Sequence, residues 1–128
     1  PIVPEALRDL LIDLHRRHPH MPPVIIGENG ASFPEPDGAV RIDDAERIDY
    51  LAAHIAAVGE AMAAGVPVEE YTAWSLLDNW EWADGFAQRF GLVHVDYETQ
   101  RRTPKSSARW YAELARTGVL PPVDAQDD

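Results

Sequence analysis

Two apolar runs, Val24–Ile26 and Tyr71–Leu77, limit the fold most, because each ends in acids and amides and a segment of helical period precedes each. Leu7, Leu10, Leu11 and Leu14 follow the i, i+3, i+4, i+7 template, so Pro4 to about Arg17 is a predicted amphipathic helix. Pro19, Pro22 and Pro23 stop it, a strand over Val24–Gly27 follows, and Ala31–Val40 is a loop punctuated by Pro34, Pro36 and Gly38. A second helix starts near Asp43 or Asp44, whose short carboxylates suit an N-cap; Ile48, Leu51, Ile55, Val58 and Met62 form its apolar face, and Gly65 ends it. The second strand, Tyr71–Leu77, runs into Asp78-Asn79-Trp80-Glu81-Trp82. Gly85–Gly91 reads as irregular and Leu92–Asp96 as a short extended piece. Thr103 and Pro104 read as the cap and first turn of a last helix carrying Trp110, Tyr111 and Leu114, closed by Gly118, Pro121 and Pro122.

That order is the βα alternation of a parallel sheet, whose strands are buried on both faces and whose chemistry sits on the loops after the strands. Two such strands can neither close a barrel nor cover their own edges, so the expected fold class is α/β, as a part of a larger architecture whose folding alone is in question. The 128 residues have the length of one domain, read as residues 1–122 with an acidic tail at 123–128. The chain begins with proline rather than methionine, which suggests a piece of something longer.

A formal charge of −11 argues against nucleic acid and against anionic membrane surfaces as partners, because both demand a basic face. With no cysteine, thiolate catalysis and zinc–thiolate sites drop out, but the compartment stays undecided, with the cytoplasm favoured. No apolar run approaches the roughly 20 residues needed to span a bilayer. His15, His18 and His20 lie close together, yet two of them flank a helix end rich in Arg and Pro; a solvated terminus is the expectation, with no metal and no cofactor.

The chemistry-bearing residue is Glu28, where Val24-Ile25-Ile26-Gly27 delivers one carboxylate to the end of a buried strand, a place of low dielectric and converging loops. Taken alone, the segment reads first as a strand followed by a Glu-Asn-Gly turn, since Asn-Gly is a common turn dipeptide, and residues further along must break the tie. Glu81, expected at the end of the neighbouring strand, stands among Trp74, Trp80 and Trp82, with Phe86 and Phe90 close behind. Aromatic faces suit the C–H faces of sugar rings, and Glu81, Asn29, Asp78 and Asn79 could satisfy sugar hydroxyls. Trp110, Tyr71 and Tyr111 read as packing residues.

Ile25-Ile26-Gly27-Glu28-Asn29-Gly30, with Ala73-Trp74-Ser75-Leu76-Leu77-Asp78-Asn79-Trp80-Glu81-Trp82, resembles glycoside hydrolase family 1, the β-glucosidases and their relatives. Arg89-Phe90-Gly91-Leu92, Val95-Asp96-Tyr97 and Arg102-Thr103-Pro104-Lys105-Ser106-Ser107-Ala108 continue the match over nearly the whole chain. The resemblance implies a (β/α)8 barrel of which this chain is the C-terminal quarter, with the seventh and eighth βα units. It implies that Glu28 is the nucleophile, that Glu81 bonds hydroxyls of the innermost sugar, that Trp74 is the platform beneath that sugar, and that Trp82 is a further donor to it. Asn29, as a partner for sugar hydroxyls, and Phe90, as a nearby aromatic, are further candidates for binding the substrate. Trp82 also points away from the phospho-sugar branch of the family. Glu70 and Thr72 depart from the family's usual residues.

The implied reaction is retaining hydrolysis of a β-glucoside or related small saccharide, in which a carboxylate about 5 Å from a general acid attacks the anomeric carbon. The family's Asn-Glu-Pro acid does not occur here, and Glu35-Pro36 lies in a Pro-rich loop unsuited to that task. The isolated chain is therefore expected to be inactive and to need the missing N-terminal barrel portion as partner. The alternatives are a non-catalytic carbohydrate-binding or complementing piece, or a truncated product without a function of its own.

Overall fold

The computed structural model describes residues 1–35 and 41–123. The latter half of the expected Ala31–Val40 loop, and the tail from Asp124 onward, lie outside the described residues. Helix α1 (Pro4–Arg17) begins with proline inside its first turn, which costs nothing there because that N–H has no partner within the helix. Strand β1 (Val24–Asn29) leads through the loop to helix α2 (Ala45–Ala63), and strand β2 (Val68–Ala73) pairs parallel with β1. A 3-10 turn (Trp82–Asp84), the antiparallel pair β3 (Val93–Val95) and β4 (Arg102–Pro104), and helix α3 (Ser106–Thr117) complete the order. No helix among the described residues is long and apolar enough to cross a membrane.

The helices cover one face of the β1–β2 sheet. Leu11 of α1 and Val58 and Ala61 of α2 form a core with Val66, against which Val24, Ile26, Val68 and Tyr71 pack. A second core joins Leu51 and Ala52 of α2 to Leu92 and Trp110, with Tyr71, Ala73 and Tyr111 against it. The opposite sheet face is open, and Ile25 on it is 59% exposed. Trp110 is a packing residue as expected, whereas Tyr71 and Tyr111 pack and also donate hydrogen bonds, Tyr71 Oη to Asn29 Oδ1 and Tyr111 Oη to Tyr71 O at 3.1 Å.

Register decides where Glu28 points. From the pair Ile26–Tyr71 to the pair Asn29–Ala73, β1 advances three residues while β2 advances two, so one extra residue bulges β1 beside Glu28. Strict alternation would put Glu28 on the same face as Ile26, under the helices. With the bulge, Asn29 takes the helix-covered face and Glu28 is turned, exposed, toward the open one.

Two expected elements shift, and one expected cap has another role. The second strand occupies Val68–Ala73 rather than Tyr71–Leu77, because the backbone of Ser75–Asp78 finds other partners: Ser75 N–H donates to Phe90 O, Leu92 N–H to Ser75 O and Asp78 N–H to Val93 O. Thr103 and Pro104 do not cap a helix but end β4, where proline's missing N–H is tolerated at an edge, and α3 starts at Ser106 after Lys105. Asp44 holds the N-cap position of α2, but its side chain makes no capping bond. It accepts instead from Arg47 Nε at 2.8 Å, Ser107 N at 2.9 Å and Ser107 Oγ at 2.6 Å, tying α2 to α3. A buried carboxylate gains more from a guanidinium, a hydroxyl and an amide together than from one helical N–H.

Candidate active site

Asn29, Trp74 and Glu81 form one connected series. Trp74 N–H donates to Asn29 O at 2.9 Å, extending the sheet by one rung past β2, and Trp74 Nε1 donates to Glu81 Oε1 at 3.0 Å. The Trp74–Ser75 peptide is cis. Asn29 is fixed from the helix side, accepting from Tyr71 Oη at 2.6 Å and donating to Tyr50 Oη at 3.3 Å. Burial, then the neighbouring Tyr111 and Tyr50, raises the Tyr71 pKa well above that of a free phenol, so its hydroxyl remains the donor. Gly30 is required by close approach: a Cβ there would lie 1.9 Å from Trp74 O.

Glu81 does not end a strand as expected. It sits in the loop beyond β2, where Glu81 N–H donates to Gly85 O at 2.7 Å and Asp84 N–H to Glu81 O at 2.9 Å. This tight turn holds Trp82 at φ +46°, a sparsely populated conformation for a bulky residue, with its side chain largely in solvent. The Trp80 and Trp82 rings lie 5.5 Å apart. Phe90 contributes through its carbonyl, which accepts from Ser75 N and from Arg47 Nη1, both at 3.2 Å.

Several candidates are already engaged by the protein. Asp78 is fully buried: Oδ1 accepts from Gly91 N at 2.8 Å and Lys105 Nζ at 3.0 Å, and Oδ2 faces Arg89 and Val95 N at 3.3 Å. Asn79 donates to Ser75 Oγ and Leu77 O, both at 3.0 Å. Asp78 thus has no freedom to serve sugar hydroxyls as the sequence suggested, and the Asn79 amide nitrogen is held by the protein. Phe86 packs on Tyr97, ring centroids 4.6 Å apart. Glu70 and Thr72, the two departures from the family pattern, meet on the exposed side of β2, where Thr72 Oγ1 donates to Glu70 Oε1 at 3.2 Å.

Sequence reading missed the charged layer beneath these loops. Glu35 turns inward to Arg47, His94 and Lys105. Glu35, Asp78 and His94 place ligand atoms within 4.8 Å of one another, the one such group found among the described residues; His15, His18 and His20 are not part of it. Lys105, Arg47 and Arg89 already neutralise its two carboxylates, so the donor set does not fit a divalent cation.

Residues 1–119 match the sequence profile of glycosyl hydrolase family 1. The chain belongs to glycosyl hydrolase family 1. Among curated proteins it is similar to beta-glucosidase A of Thermotoga maritima, 45% identical over 93% of this chain and 27% of that protein. It is 40% identical to a 6-phospho-beta-galactosidase of Streptococcus equi subsp. zooepidemicus, over 93% of this chain and 25% of that one. The solved family 1 β-glucosidase from T. maritima superposes with a TM-score of 0.89 at 44% identity, covering 94% of this chain and 28% of that structure. The same enzyme in complex with deoxynojirimycin gives a TM-score of 0.87. The chain thus spans about a quarter of the length of the curated relatives it matches. Its α/β arrangement fits a piece of the family's barrel.

Proposed function

We propose that this chain serves as the C-terminal quarter, the seventh and eighth βα units, of a retaining β-glycosidase that removes terminal β-linked sugars. Residues 1–122 form that part of a single barrel domain. In this reading Glu28 is the nucleophile, and Trp74, Glu81, Trp82, Asn29 and Phe90 build the innermost sugar subsite. The observation that carries it is the bond from Trp74 Nε1 to Glu81 Oε1, joined through Trp74 N–H to Asn29, the residue next to Glu28. An aromatic platform, a hydroxyl-binding acid and a strand-end carboxylate are thereby linked by two hydrogen bonds. The indole bond leaves Glu81 Oε2 for a sugar hydroxyl, and the Trp82 side chain is exposed enough to contact the same sugar.

Glu28 would attack the anomeric carbon while a general acid about 5 Å away protonates the leaving oxygen; water then cleaves the glycosyl-enzyme. Glu35 is unsuited to be that acid, since its carboxylate is turned inward onto Arg47 and Lys105. Without an acid the chain alone forfeits the roughly 10²–10⁴-fold that proton transfer contributes, and the acid would come from the complementary barrel portion. The sugar in this reading is an unphosphorylated β-glucoside or related small saccharide, since Trp82 points away from the phospho-sugar branch of the family.

The test is covalent trapping in the protein assembled with that complementary portion. A slow 2-fluoro-β-glucoside should add one glycosyl mass to the peptide containing Glu28, and Glu28→Gln should abolish the adduct. Labelling at full rate in Glu28→Gln would remove Glu28 from the nucleophile role, and rapid hydrolysis of an unactivated glucoside by the 128-residue chain alone would overturn its incompleteness.

A further inference from the structure

Lys105 immediately precedes α3, where a charged side chain would ordinarily reach solvent, yet it is fully buried. Its Nζ bonds Glu35 Oε1 on one side and Asp78 Oδ1, at 3.0 Å, on the other. Glu35 belongs to the loop that leaves β1 after Glu28. Asp78 belongs to the loop that leaves β2, between Trp74 and Glu81. Arg47 of α2 bridges the same two loops: Nη1 donates to Ala31 O at 2.6 Å, and Nη2 donates to Glu35 Oε1 at 3.1 Å and to Arg89 O at 2.8 Å.

The charges balance. Lys105, Arg47 and Arg89 face Glu35, Asp78 and Asp44, with His94 Nδ1 lying 3.0 Å from Glu35 Oε2 and 3.4 Å from Asp78 Oδ2. None of these groups enters the proposed chemistry. In such a site, removing one ion strands its partner in a medium that solvates it poorly, whereas removing an anion and a cation together keeps the balance.

The geometry points to a charge-balanced pin: Lys105, with Arg47, Glu35 and Asp78, is a positioning set that locks the loop after β1 to the loop after β2. It thereby fixes where Trp74 and Glu81 stand relative to Glu28. The consequence for saccharide binding rests on the function proposed above; the loop pin itself rests only on the ion pairs.

The readout is hydrogen exchange at the Trp74 indole N–H, followed by NMR on the ¹⁵N-labelled 128-residue chain. Lys105→Met should speed that exchange at least tenfold while amides of α1 change less than twofold. Adding Glu35→Gln to Lys105→Met should bring it back to within threefold of the parent, a rescue that mere loss of packing would not show. Exchange in Lys105→Met within twofold of the parent, or a double variant as fast as the single one, overturns the pin. Should Lys105→Met not fold, Glu35→Gln alone leaves one cation in excess, and the same contrast with the double variant decides. Titration with deoxynojirimycin of the protein assembled with the complementary barrel portion separates the two readings: binding that weakens at least tenfold in Lys105→Met and returns in the double variant supports both. An assembled parent protein that binds none counts against the saccharide reading, while the exchange data still decide the pin.

Discussion

At the scale of single residues, the site depends as much on what is small as on what is reactive. Gly30 and Gly91 sit where backbone passes against backbone: a Cβ at Gly30 would collide with the Trp74 carbonyl, and one at Gly91 would lie 2.2 Å from Asp78 N. In neither case is a flexible side-chain tip the obstacle, so the clash cannot be relieved by a rotamer change. Gly30→Ala should cost about 1–3 kcal/mol or more through forced backbone shifts. Thermal unfolding of the variant checks the cost, and the Trp74 indole resonance should move with it; an unchanged melting temperature would contradict the contact. Glu28 at the end of a strand was legible from the β-branched run that precedes it. Which face it takes was not, because a one-residue bulge leaves no mark in a sequence pattern of this length.

At the scale of elements, the turn between β3 and β4 shows how a carboxylate can organise backbone. Asp96 Oδ1 accepts from Glu98 N at 3.0 Å and Thr99 N at 3.1 Å, and Gln100 closes the turn at φ +63°. These bonds, the one from Thr99 foremost, hold the Asp96 pKa below its ordinary 3.8. A group depressed in the folded chain stabilises it above the ordinary value, and that contribution is lost as pH falls from about 4 through the folded value. An NMR titration should find the Asp96 midpoint below 3.8, with the Glu98 and Thr99 amide signals shifting in step. Asp96→Asn should remove that acid-side transition; a midpoint at or above the ordinary value would refute it. The helices were legible because leucines and isoleucines at three- and four-residue spacing leave few alternatives. The end of the second strand was not: Ser75–Leu77 look β-prone, and only the arrival of residues 90–93 gives their backbone a better partner than the sheet.

At the scale of the whole molecule, a two-stranded parallel sheet with helices on one face leaves its other face in solvent. Ile25 is 59% exposed there, and Leu10 on α1 is 63% exposed. Unpaired edges and open apolar faces invite association. Sedimentation of the purified chain at micromolar concentration should show species heavier than the 14.3 kDa monomer, and Ile25→Lys should reduce them. A single monomeric boundary in the parent chain would count against this. The same open face carries Glu28, so the surface that invites association is also the one that would meet the rest of a barrel and its substrate.

The sequence by itself determined the α/β order and the family, because these follow from spacing and motif chemistry along short stretches of chain. Tertiary structure decided the rest. Glu28 faces outward because register slips by one residue against β2, and Glu81 reaches Trp74 because a tight turn folds it back. Asp78, Glu35 and Lys105 became buried partners rather than ligands or solvated charges, because residues from three separate loops met at one point. A charge finds its role from the charges beside it, and those neighbours lie far away in sequence.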